Sequence, residues 1–280
     1  MFSLSALKLD LQTAVSLQLV AQSYKETAAG KLKRIRDEIQ RNRSFYNEVS
    51  VIYRTVRVVA AKEYGIFRIK NNKILSILIT PNDRFYGTLT SKVVNFFLEN
   101  AKTSEDKVVI GKTGQDIIKT MHPIFSFKPF VTKGELPDNK ELADLAELAL
   151  LYKQVLVFYP TFKTILEQET VVKDITETIE RPMREELEKN PLEILFGKIK
   201  SGSGYILEPE ADKILMFFDT QVLALLLEAA FLDSELARTS ARLVSMEQAE
   251  SRAGKSIKDK QIAISLALRS LKNKHLLEAY

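Results

Sequence analysis

Between Leu4 and Val59 the chain has no proline and a single glycine, Gly30, and its apolar residues return at alternating intervals of four and three. One row reads Leu4, Leu11, Gln18, Lys25, Leu32, Ile39, Tyr46 and Tyr53; the other reads Leu7, Ala14, Ala21, Ala28, Ile35, Asn42, Val49 and Val56. Sustained over about eight heptads, the pattern predicts a helix with one narrow apolar seam, the sign of a coiled coil rather than of a globular helix. The end of the chain mirrors it. After Pro209 there is no further proline, and only Gly254 interrupts a helical pattern running to Tyr280. Its rows are Leu236, Leu243, Glu250, Ile257, Ile264, Leu271 and Thr239, Met246, Ala253, Lys260, Ala267, Lys274. A helix of about 70 residues reaches on the order of 100 Å. A compact domain of this mass cannot bury that length, so the helix pairs with the N-terminal one, projects into a partner, or does both.

The middle alternates β-rich runs with helical ones. Strands are expected at Ile74–Thr80, Lys107–Gly111, Phe127–Val131, Gln154–Pro160 and Thr164–Ile175, and helices around Leu89–Asn100, Gln115–Met121 and Asn139–Tyr152. Such alternation predicts a small Rossmann-like α/β sheet domain with helices on its faces. Proline and glycine are densest between Arg181 and Pro209, where the return into the last helix is expected. The fold class is thus α/β, with N- and C-terminal helices (1–62 and 206–280) forming an antiparallel coiled coil and a domain of residues 70–205 inserted between them.

Composition narrows the classes of function. With 45% apolar and 28% charged residues the chain is globular in type. Zero cysteines remove disulfides, thiolate metal sites and cysteine nucleophiles together, and suit a reducing compartment. No apolar run approaches the roughly 18 to 20 residues of a membrane helix, and the longest, Val222–Leu232, is broken by Glu228. No direct membrane insertion is expected. Asp10 near the start and the lack of an Arg-rich leader argue against a targeting peptide. The balance of 41 basic against 36 acidic residues is mildly basic, and Thr27–Phe45 carries six basic and two acidic side chains. A nucleic-acid helix would interleave aromatics for stacking, and this stretch has only Phe45 and Tyr46 at its far end. Its cations, Lys31, Lys33, Arg34 and Arg36 among them, read instead as the outer face of a coil.

Candidate chemistry is sparse. Ile110–Asp116, "IGKTGQD", has Gly-Lys-Thr between a strand and a helix, but a phosphate-binding loop needs a glycine where Asp106 stands. A plain strand-to-helix turn is expected. A dinucleotide fingerprint is absent, since "NDRFYGTLTS" offers only Gly87. His122 and His275 have no partner at a catalytic spacing, and the carboxylates of "REELEK" (Arg184–Lys189) have basic neighbours. No catalytic residue, cofactor site or metal site is assigned. A nucleotide-dependent enzyme built on the α/β domain and a basic coiled-coil adaptor for nucleic acid remain as alternatives.

Several segments carry a resemblance. "AAGKL" (Ala28–Leu32) is similar to the "AAAKL" of a known family, "PNDRFYGTLT" (Pro81–Thr90) stands in place of a Gly-rich segment and keeps Gly87 and Leu89, and "VVIGKTGQD" (Val108–Asp116) matches its next turn. "YILEPEADKIL" (Tyr205–Leu215) and "SARLVSMEQAESRAGKSIKD" (Ser240–Asp259) follow in order. The chain resembles the gamma subunit of F-type rotary ATPases along its whole length. Resemblance implies a non-catalytic rotor shaft inside a hexamer of alpha and beta subunits, touching an epsilon subunit and a membrane c-ring, at the cytoplasmic face of the plasma membrane. It also implies partner contacts at Tyr24, Lys25, Lys31, Leu268, Arg269, Lys272 and His275, with Gln22–Thr27 opposite the last helix. Leu268 and Arg269 stand where the family carries Arg-Gln, and "SYKET" (Ser23–Thr27) replaces a Met-rich turn. A gamma-like paralogue serving a specialised rotary ATPase is the alternative within the resemblance.

Overall fold

The computed structural model describes residues 4–63, 71–178 and 210–278. Helix α1 spans Leu4–Glu63. Then come β1 (Asn71–Ile79), α2 (Leu89–Asn100), β2 (Asp106–Ile110), α3 (Lys112–Met121), β3 (Lys128–Phe130), α4 (Asn139–Leu150), β4 (Tyr152–Phe162) and β5 (Gln168–Asp174), and the last helix, α5, spans Ala211–Glu278. The expected elements are all present. "REELEK" and the segment 181–209 lie outside the described residues.

The strands form one sheet in the order β3-β2-β1-β4-β5. β1 pairs parallel with both β2 and β4, β2 pairs parallel with β3, and β5 runs antiparallel to β4. Parallel neighbours need crossovers, and α2, α3 and α4 supply them. The central strand β1 is buried on both faces, which is why "ILSILI" has no clean polar alternation. Leu78, Val109 and Phe158 face Val94 and Phe97 of α2 and Ile118 of α3. On the other face Leu75, Ile77, Val108 and Val157 meet Leu145 and Ala149 of α4, Tyr53 of α1, and Val222, Leu226, Leu227 and Phe231 of α5. Helix α4 starts where Asp138 and Glu141 close a capping box.

By contacts the chain divides into a unit of Met1–Lys33, Phe85–Gly87 and Thr239–Tyr280 and a unit of Arg34–Arg84 and Thr88–Arg238. The division cuts through both long helices, because in the second unit their apolar seams lie on the sheet as well as on each other. One expectation is corrected here. A stretch of α5 is, by length and composition, apolar enough to cross a membrane; within it Val222, Leu226, Leu227 and Ala230 are buried on the sheet. The apolar rows of α5 are withdrawn from solvent as far as Ala267, while Leu271 and Lys274 beyond it are exposed, in keeping with a helix that pairs and also projects. Asp10 pairs with Lys260, which places the start of α1 against the stretch of α5 just beyond Lys260.

Candidate partner-contact surface

All sixteen seam positions of α1 are buried or half-buried. Ala14, Ala21 and Ala28, at 6%, 4% and 2% exposure, let the facing backbone come close. The helices are antiparallel. In the first unit Lys260 Nζ lies 2.8 Å from Asp10 Oδ2, and Lys25 Nζ lies 3.0 Å from Glu247 and 2.5 Å from Glu250. Hydrogen bonds to Glu250 and then Glu247 raise the Lys25 pKa above its ordinary value. In the second unit Asn42 Nδ2 donates to Glu228 Oε2 at 2.8 Å and Tyr53 Oη to Asp219 Oδ1 at 2.6 Å.

Phe85–Gly87 brings three loop residues onto the coil of the first unit. The Tyr24 and Phe85 rings lie 5.7 Å apart. The Arg242 guanidinium donates to Tyr86 Oη at 2.6 Å and lies 4.3 Å from the Tyr86 ring centroid. Phe85 sits at φ 73°, a left-handed conformation that costs a non-glycine residue roughly 1–2 kcal/mol. The strain is held by contacts on both sides of the loop.

The residues expected to meet partners are placed as follows. Tyr24 is exposed, but one ring face is on Phe85. Lys25 belongs to the seam, with its ammonium engaged by two carboxylates. Lys31 is half-buried, while Lys33, Arg34 and Arg36 are exposed, Arg36 lying 5.7 Å from the Phe162 ring. On α5, Leu268, Arg269, Lys272 and His275 are exposed, as is every residue from 268 to 277. His122 closes α3, its N–H donating to the Ile118 carbonyl. Sequence reasoning missed a second group. Leu9, Leu17 and Val20 are 64%, 60% and 53% exposed, and helical spacing puts them with Tyr24 on one side of α1, off the seam. The available signal was apolar side chains outside both heptad rows.

The Gly-Lys-Thr segment is the strand-to-helix turn expected. Lys112 N donates to Asn82 Oδ1, Thr113 N to the Pro81 carbonyl and Gly114 N to Thr80 Oγ1. The amides that would cradle a phosphate are already bonded. Gly111 has φ 90°, and a Cβ on it would stand 2.1 Å from the Thr80 carbonyl oxygen; one on Gly114 would stand 2.4 Å from Thr80 Oγ1. Among the described residues no group of His, Cys, Asp and Glu is arranged to hold a metal ion.

The family model described as "ATP synthase" matches residues 3–267. The chain belongs to the ATP synthase gamma-chain family. The ATP synthase gamma chain of Clostridium novyi is 27% identical over 89% of this chain and 86% of that protein, and that of Trichlorobacter lovleyi is 20% identical over 92% and 89%. The fold of this gamma chain is that of solved central stalks. A chain of the Tetrahymena thermophila mitochondrial ATP synthase central stalk and c-ring matches 82% of it and 99% of its own length, with TM-score 0.58 at 17% identity. A chain of the Euglena gracilis mitochondrial ATP synthase matches 90% and 93%, with TM-score 0.56 at 13% identity. The family model ends at residue 267, one residue before the exposed run 268–277 of the gamma chain.

Proposed function

We propose that this gamma chain is the central rotor shaft of an F-type ATP synthase, turning within a hexamer of alpha and beta subunits and linking their ATP chemistry to ion flow through a membrane c-ring. The observation that carries the reading is a polar-locked two-helix coil whose α5 end, residues 268–277, is wholly exposed. A shaft needs stiffness along its length, and two proline-free helices joined by a continuous seam supply it. Torque needs contacts outside the seam, and Leu9, Leu17 and Val20 with Leu268, Arg269, Lys272 and His275 offer apolar and cationic ones. As the shaft turns, its unequal sides meet each beta subunit in succession, and differential contact selects which conformation each adopts. Tyr24 and Lys31 flank this surface, and Lys25 acts through the coil, by locking α1 to α5. An epsilon subunit and the c-ring are the shaft's further partners, and the assembly is assigned to the cytoplasmic face of the plasma membrane. Likeness to stalks solved with c-rings supports this over a specialised assembly without a membrane ring.

The test is co-expression with the alpha and beta chains of the same source. A stoichiometric complex with ATPase activity is expected, and no activity from the gamma chain alone. Recovery of the lone chain whatever partners are supplied would overturn the proposal.

A further inference from the structure

The second unit contains a cavity of about 200 Å³ that the shaft role does not use, lined by Ile39, Arg43 and Tyr46 of α1, Tyr159 of β4, Lys173 of β5, and Leu226, Ala230 and Asp233 of α5. Two cations face it, Arg43 and Lys173. Neither side chain forms an ion pair or hydrogen bond with another described residue. The carboxylate in the wall, Asp233, is already bonded: Thr161 Oγ1 donates to one oxygen at 2.6 Å and Phe162 N to the other at 3.4 Å. A half-buried ammonium beside a guanidinium, two cations against the one carboxylate in the wall, is an arrangement that an anion stabilises. Burial, and secondarily Arg43, hold the Lys173 amine below its ordinary pKa against the pull of Asp233. Ile39, Leu226 and Ala230 add apolar lining. Burial raises both tyrosine pKa values, that of Tyr159 to about 12, so both hydroxyls stay protonated and able to donate.

We propose that this cavity binds a small amphipathic anion, a carboxylate or phosphate carried on an apolar body about the size of one ring, with Arg43 and Lys173 taking the charge and the α1 and α5 side chains taking the body. The size follows from the volume: an apolar cavity of about 150 Å³ takes up benzene, which leaves room here for a ring and its head group. The inference is independent of the rotor reading, because it concerns the isolated chain.

The test is calorimetric titration of the full chain with phenyl phosphate and with benzoate, beside phenol and inorganic phosphate. At least one of the two amphipathic anions is expected to bind with Kd of about 1 mM or tighter, with phenol and free phosphate each at least tenfold weaker. K173M and R43M should weaken that binding at least tenfold, K173R should retain it, and K102M, an exposed lysine elsewhere, should leave it unchanged. Should K173M fail to fold, R43M on the surface of α1 carries the comparison. No saturable binding of either anion, equal binding of inorganic phosphate, or binding indifferent to both substitutions would overturn the proposal.

Discussion

Gly111 and Glu135 show how single positions constrain this chain. At Gly111 a side chain would need both a left-handed backbone and space that the Thr80 carbonyl occupies. Gly111→Ala should therefore cost roughly 3 kcal/mol or more, read as a lower denaturant midpoint, and the C-terminal end of the β1–β2 pairing should open first in hydrogen exchange. Glu135 is half-buried near Arg238, whose guanidinium donates to the fully buried Glu235 at 2.6 Å. Burial raises the Glu135 pKa, against the opposing pull of Arg238. A carboxyl with a raised folded-state pKa gives stability that is complete below the ordinary carboxylate value and falls as pH rises through the folded one. Glu135→Gln should flatten that fall, so the variant gains on the wild type as pH goes from 4 to 7 in thermal unfolding. A variant that tracks the wild type at every pH would show that Arg238 already compensates the charge.

At the scale of elements, much was legible and the reasons are specific. The seam of α1 could be read position by position, since heptad spacing depends only on helical geometry, and each named residue is withdrawn from solvent. Strands β1, β2 and β4 were legible from β-branched runs. The Thr164–Ile175 run was read too long. Its first residues form the turn in which Thr164 N donates to the Glu167 carbonyl, and the strand begins at Gln168. The role of Phe85–Gly87 could not be read, because it depends on Tyr24 and Arg242, far away in sequence. Nor could the fate of Lys25, a lysine in an apolar row, before Glu247 and Glu250 were known to face it. Lys25→Met should weaken the coil at low salt and differ less from the wild type at high salt, because screening removes what the charges contribute; helical ellipticity against temperature at two ionic strengths checks this.

For the whole molecule, the contacts that turn a coil into a working shaft lie on its outside, where local rules of folding leave sequence free. That is why the seam follows the heptad while Leu9, Leu17 and Val20 could not be assigned a purpose from periodicity alone. In the assembled enzyme, Arg269→Ala should lower turnover severalfold while complex formation persists, and Leu17→Ser with Val20→Ser should do the same from the α1 side. Steady-state ATPase of the purified complex measures both. Unchanged turnover in all of these variants would move the torque contacts elsewhere on the shaft.

The tip of α5 has one more consequence. The ten exposed residues 268–277 fall short of the length of about 12–15 residues at which an isolated helix is even marginal in water. Their backbone order in the free chain rests on the rest of α5, and, on the proposed role, in the assembly on the partner surface that receives them. Amide protons of Leu268–Leu277 should therefore exchange within the shortest labelling times in the lone chain and become protected on insertion, making the end of the shaft a built-in reporter of whether it is seated.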